Sequence, residues 1–289
     1  MANIRDIRRR IKGVKNTRQI TKAMQLVAAS KMKKAQDQAT SGREYALLLA
    51  DMVDNLYNNG ESIGGGFFSE RPIKTRGILV VSTEKGLCGS INSNLFRYLS
   101  KIEGGVKYIT VGRKAKQYIS ATRRDLIADF AITDKVSFNE VRQIVEYMLK
   151  AYSEGTIDSL EIIYTHFVST LKQEPERLSI LPLADLTEMR ETLRKRFGQD
   201  GAIKTTDSRE ILFEPDAKTL TEELAALFIK QQIYQLILEA KASEHSARMV
   251  AMKSATDNAD SLVDDLTLQY NRVRQAAITQ EILEISAAS

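Results

Sequence analysis

The sequence predicts an α/β protein: a long antiparallel coiled coil of N- and C-terminal helices with a central doubly wound domain. Three observations predict it. All four prolines and thirteen of the fifteen glycines lie between residues 60 and 215. Similar stripes of small and apolar residues run near both ends of the chain, and short apolar runs alternate with amphipathic ones between them.

The breakers divide the chain into a helical segment 1–58, a globular domain 59–215 and a helical segment 216–289. Interior Pro costs a helix about 3 kcal/mol and Gly about 1 relative to Ala, and residues 216–289 contain neither. At about 1.5 Å per residue, the C-terminal helix would reach on the order of 100 Å and the N-terminal one about 80 Å. The last helix is read as starting at "FEPDAKTLTEEL", where Pro215 closes the preceding segment and Thr219 with Glu222 makes a capping box. Ile4, Ile7, Ile11 and Val14 follow the 3-4-3 spacing of a coiled-coil seam, and Leu262, Leu266, Val273 and Ala276 offer a comparable seam at the other end. Ala28, Ala35 and Ala39 face a similar stripe of Ala247, Ala251, Ala255 and Ala259, small enough for two helices to approach closely. Since one segment opens the chain and the other closes it around a single domain, antiparallel pairing is the simplest arrangement.

Charge agrees with the pairing. Residues 1–34 carry eleven Lys and Arg against Asp6, a net of +10, whereas residues 216–289 carry seven basic and eleven acidic side chains, a net of −4. Opposite signs favour contact, and the N-terminal excess must face solvent or an acidic partner.

In the middle, residues 77–81, 107–111, 159–168 and 177–183 read as strands, and 93–99, 113–119 and 138–152 as helices. This alternation favours right-handed βαβ crossovers and a doubly wound sheet.

The chemistry this chain could carry is narrow. One cysteine excludes an internal disulfide, and His166 and His245 with Cys88 give no metal-ligand spacing. No window approaches the roughly 20 apolar residues of a membrane span, nor does the N-terminus carry a secretory h-region. The stretch "STEKGLCGS", residues 82–90, lies between a strand and a helix, where an α/β enzyme keeps its active site. It matches neither G-x-x-x-x-G-K-[ST], nor G-x-G-x-x-G, nor a nucleophile elbow. The glycines are read as allowing a tight turn and Cys88 as a small buried or half-buried residue, with anion binding at the helix N-terminus as the alternative. His166 in "IYTHFVS" is read as a strand histidine.

Three stretches carry a resemblance: "IRDIRRRIKGVKNTRQITKAMQLVAASKMKKAQ" at 4–36, "EKGLCGSINSNL" at 84–95, and "SEHSARMVAMKSATDNADSLVDDLTLQYNRVRQAAITQEILEI" at 243–285. Together they closely resemble the gamma subunit of bacterial F-type ATP synthase. The resemblance implies a coiled coil around a Rossmann-like domain, acting as the central rotor shaft and not itself catalytic, with no cofactor or metal. It implies three α and three β subunits, an epsilon subunit and a membrane c-ring as partners. Membrane association would come through the complex alone, peripherally, on the cytoplasmic face of the cell membrane. By similarity, Lys22, Met24, Lys31, Lys33 and Lys34, together with Arg274, Gln275 and Thr279 in "RQAAITQE", correspond to positions that touch the β subunits. Glu210, Ile211, Leu212, Phe213 and Glu214 correspond to the foot on the c-ring and epsilon subunit. The cysteine pair of the photosynthetic members' regulatory insertion is absent, so thiol control of that kind is not expected.

The rival reading is a nucleic-acid-binding coiled coil, suggested by a pI near 9.1 and "IRRRIKGVKNTR". It lacks any recognised motif and any aromatic residues interleaved with the basic ones, and charge alone supplies only non-specific, salt-sensitive affinity.

Overall fold

The computed structural model describes residues 4–59, 66–69, 71–183, 191, 194 and 217–287. Helices α1 (Ile4–Ser41) and α2 (Arg43–Asn59) are followed by β1 (Arg76–Val81), α3 (Ile91–Ser100), β2 (Val106–Val111), α4 (Arg113–Ala121) and β3 (Asp125–Phe130). Then come α5 (Phe138–Ser153), β4 (Ser159–Phe167), β5 (Gln173–Leu181) and the terminal helix α6 (Ala217–Ala287). The sheet order is β3-β2-β1-β4-β5. One face packs on α3 and α4 through Ile78, Val80, Leu95, Leu99, Ala115 and Ile119. The other packs Leu79, Val81, Ile109 and Ile162 against residues of α5, α2 and α6 such as Ile144, Val53 and Ile229. The expected coiled coil and two-faced α/β domain are therefore both present.

The structure corrects several details. Strand β3, "DLIADF", is absent from the sequence reading: it is a half-exposed edge strand with Asp125 and Asp129 in it, and so lacks the apolar run of its neighbours. Strands β1 to β4 are parallel, but β5 runs antiparallel to β4. Residues 168–172 are too few to form the crossover that a parallel neighbour needs. The N-terminal segment is two helices, with Gly42 at the joint. A Cβ there would lie 2.0 Å from Gln235 Nε2, so glycine lets the α6 side chain reach the joint. The terminal helix is already formed at Ala217, which puts Thr219 inside its first turn rather than at its cap.

Helices α1 and α6 run antiparallel. Arg18 Nη1 donates to Asp260 Oδ1 at 2.6 Å, the hydroxyls of Thr21 and Thr256 bond at 2.8 Å, and Gln38 Nε2 donates to Tyr234 OH at 2.6 Å, so α6 numbers fall as α1 numbers rise. The buried or half-buried positions of α1 include 7, 11, 14, 18, 21, 25, 28, 32, 35 and 39, alternate steps of four and three. On α6 they include 252, 256, 259, 263, 266, 270, 273 and 277. A 3.5-residue repeat keeps one seam facing its partner, as a supercoiled pair requires. The expected α6 seam is out of phase by a residue at two points: Val263 is buried where Leu262 is 43% exposed, and Ala277 is half-buried where Ala276 is exposed. The alanine row also spreads, with Ala247 and Ala259 buried but Ala251 and Ala255 half-buried. Steps of four advance about 40° past a full turn, so a strict four-residue row winds off the contact face.

Candidate functional site

Two places could carry function: the crevice at the carboxyl ends of the strands and the surface of the shaft. In an open α/β sheet, ligands bind where strand order reverses, which here is between β1 and β4. Residues 82–90 occupy that point. They are held by their own hydrogen bonds: Ser82 Oγ accepts from the Ala115 amide at 2.7 Å, Asn92 Nδ2 donates to Thr83 Oγ1 at 2.8 Å, and Thr83 Oγ1 donates to Lys85 O at 2.8 Å. The start of α4, where an anion would be favoured, receives the protein's own carboxylate, as the Arg113 amide donates to Glu84 Oε2 at 2.9 Å. Gly112 precedes this helix with φ +93°, and a Cβ on it would lie 2.4 Å from Ser82 O, so the two loops touch backbone to backbone. Cys88 is 2% exposed, and burial pushes its thiol up, away from a nucleophilic thiolate. The enclosed space bounded by Thr83, Asn92, Thr165, Ala240, Lys241 and Glu244 is about 10 Å³, room for one water at most, and an open groove of about 580 Å³ runs beside Cys88, Gly89, Ser90 and Ile91 toward the β4–β5 turn.

Helix α6 is what fills the crevice. Glu244 Oε2 accepts from Lys241 Nζ at 3.1 Å and Glu244 Oε1 from Arg248 Nη2 at 2.8 Å, with the side chains of Lys241 and Glu244 5% and 4% exposed. Arg248 Nη2 also donates to the carbonyls of Lys85 and Gly86, each at 3.4 Å, tying the helix to the loop. His245, buried in the same turn, is pushed down to about 4 by burial, with Glu244 opposing and Arg248 assisting, and is neutral at pH 7. This clasp went unread in the sequence; its signal is Lys241, Glu244 and Arg248 at i, i+3 and i+7 on one helix face.

On the shaft, the structure separates the β-contact candidates. Lys22, Lys33 and Lys34 are exposed and Met24 is half-buried. Lys31 Nζ donates to Asp134 Oδ2 of the globular domain at 2.5 Å, and that bond holds the Asp134 carboxyl below its usual range. Arg274, Gln275 and Thr279 are exposed near the far end of α6, where the Thr279 hydroxyl donates to Gln275 O at 2.9 Å. Residues 278–287 are exposed throughout, including Ile278, Ile282, Leu283 and Ile285. The two candidate sets lie on opposite strands of one rod. Glu210, Ile211, Leu212, Phe213 and Glu214 lie outside the described residues. Among the described residues, no helix is long and apolar enough to cross a membrane.

Comparison with known proteins agrees with this architecture. The family model described as ATP synthase matches residues 3–289. The ATP synthase gamma chain of Opitutus terrae is 51% identical over 288 residues, covering 100% of this chain and 98% of the relative. That of Methylacidiphilum infernorum is 42% identical, with 100% and 98% covered. Among solved structures, a chain of the Tetrahymena thermophila mitochondrial ATP synthase central stalk and c-ring aligns with a TM-score of 0.60 at 23% identity, covering 82% of this chain and 99% of that one. A chain of the Euglena gracilis mitochondrial ATP synthase rotor aligns with a TM-score of 0.63 at 19% identity, covering 95% and 98%. Both share the fold.

Proposed function

The chain belongs to the ATP synthase gamma family, and from that premise we propose how it works as a central-stalk rotor: it couples ion-driven rotation of a membrane c-ring to sequential changes at the nucleotide sites of three β subunits. The end of α6 supports this reading. Residues 278–287 pass beyond the seam with no side chain buried, and four large aliphatic residues there are between 47% and 70% exposed. A lone helical stretch of this kind gains little from its own hydrogen bonds and needs surrounding protein. A ring of alternating α and β subunits supplies it.

In this mechanism the chain performs no bond chemistry. The packing of α6 against the ends of β1 and β4, which leaves about 10 Å³ between Thr83, Asn92, Lys241 and Glu244, supports that assignment. Torque passes instead through the α1–α6 seam, whose heptad packing resists bending. The exposed Lys22, Lys33 and Lys34 face acidic levers of the β subunits, while Arg274, Gln275 and Thr279 make polar contacts near the tip. Polar contacts release as the shaft turns, whereas a large apolar patch would favour one stopping point. Lys31 joins the lever contacts only by exchanging Asp134 for a β carboxylate. Glu210, Ile211, Leu212, Phe213 and Glu214 form the foot on the c-ring and epsilon subunit, which holds the chain peripherally at the cytoplasmic face of the membrane.

Co-expression with α and β subunits tests the reading. One copy eluting with three of each, and ATP turnover weakened by removing residues 270–289, is the expected result. An intact chain that stays out of any such assembly would overturn it.

A further inference from the structure

The β4–β5 hairpin meets α6 through a cluster of four titratable side chains that the rotor mechanism does not use. Tyr164 and His166 come from β4, Glu176 from β5 and Glu239 from α6. His166 Nδ1 lies against Glu239 Oε1 and 3.7 Å from Glu176 Oε2, and it is screened from solvent. The Tyr164 hydroxyl donates to Glu176 Oε2 at 2.9 Å and stands 3.4 Å from Glu239 Oε2. Glu239 is held in place, since its Oε1 also accepts from the Phe167 amide at 3.2 Å. Two carboxylates thus converge on one hydroxyl, which has a single proton to give. Without a cation between them they would repel, at a place where the side chains of Glu176 and Glu239 are only 33% and 24% exposed.

Among the described residues, the other charged groups around the ring do not take that place. Glu174, opposite His166 in the β4–β5 register, pairs with Lys172 at 3.0 Å. Asp37 of α1 and Arg43 of α2 line the cavity that His166 and Glu239 border, and their charges are opposite in sign. We infer that His166 is a pH-dependent clasp: as an imidazolium it bridges Glu176 of β5 to Glu239 of α6, fastening the edge of the sheet to the root of the shaft, and its deprotonation releases that tie. A neutral imidazole still donates one hydrogen bond to Glu239, but it has no charge with which to hold two carboxylates together. Strand β5 is the edge of the sheet, paired with β4 alone, so it is the element that yields. The direction is opposite to that of His245. Nearby carboxylates favour the imidazolium in the folded chain, so the stability it contributes is fully present below about pH 6.5 and is lost as pH rises through the folded-state midpoint.

The clasp is a property of the chain itself, so its test is separate from the assembly experiment. The chain has two histidines, and His245 is held at about 4, so NMR of the histidine rings in the full chain from about pH 5 to about 9 follows His166 directly. The expected result is a midpoint above about 6.5, the ordinary imidazole value, that Glu176→Gln and Glu239→Gln each lower. Each unit by which it stands above that value corresponds to about a tenfold change in the folding equilibrium between the two ends of the titration. Denaturant unfolding reads that change, and His166→Lys, which keeps a cation throughout this range, should hold stability level where the unsubstituted chain loses it. A midpoint at or below about 6.5, a midpoint that either glutamine variant leaves unmoved, or a fall in stability between about pH 6.5 and about 8 as steep in His166→Lys as in the unsubstituted chain would each overturn the proposal.

Discussion

Helix α6 lives in two environments. From residue 231 to 247 nearly every position is buried, whatever its chemistry: Ile233 and Ile237, but also Gln231, Gln232, Gln235, Lys241, Ser243, Glu244 and His245. From 248 to 277 only a narrow seam is covered, with Met252, Thr256, Ala259, Val263 and Leu266 at its centre. The first stretch is enclosed by the sheet, α1 and α2, and the second packs on α1, with Arg248 and Ala251 at its start still meeting the loop of residues 85–89. One continuous helix thus serves as the core of a domain at one end and as half of a two-stranded rod at the other. The buried polar groups of the first stretch anchor the rod to the domain, and the sparse seam of the second leaves its outer face open to partners.

That contrast can be broken most severely at the clasp. Glu244→Ala leaves Lys241 buried and Arg248 only slightly exposed, without their carboxylate, and should cost about 3–5 kcal/mol in denaturant unfolding of the chain. A loss within experimental error of zero would show that the clasp does not anchor the rod. A matched pair of truncations sharpens the comparison: Ile237→Ala, at a fully buried site, should cost about 3–4 kcal/mol, and Leu266→Ala, in the two-helix seam, about 2. Equal costs would mean that the seam is packed as tightly as the core.

Acid should attack the enclosed stretch selectively. His245 has its folded-state value pushed from 6.5 to about 4, so between those limits the unfolded chain binds the extra proton. Stability is then fully present above pH 6.5 and lost as pH falls toward 4, by up to about 3 kcal/mol. His245→Gln should flatten the stability profile in that window, and an unchanged slope would assign the acid sensitivity elsewhere. The smallest effect belongs to the rod: Arg18→Ala removes an ion pair with Asp260 whose side chains are 42% and 49% exposed. It should cost less than about 1 kcal/mol, and less again at high salt, as measured by unfolding at two ionic strengths.

The long helices and the central α/β unit were legible because they rest on local physics. A run without Pro or Gly stays helical, apolar runs of five residues form buried parallel strands, and a 3-4 repeat at both ends specifies a seam. The exposed lysines and the polar tip were named as candidate contacts only through resemblance, since nothing in a lone Lys33 or Gln275 points to a partner. Edge strand β3 and the direction of β5 escaped, the first because an edge strand needs no apolar alternation, the second because a short hairpin reverses a chain without a strong sequence mark.

By itself, then, the sequence determined the helical arms, their antiparallel seam and the absence of a phosphate-binding motif, all of which follow from backbone propensity and residue spacing. Tertiary structure alone decided which polar residues of α6 are buried, that the crevice at the strand ends is closed by Lys241 and Glu244, and that Lys31 pairs with Asp134. Burial of a polar side chain depends on what other elements bring to its surface, and that is a relation between distant segments which no local pattern encodes.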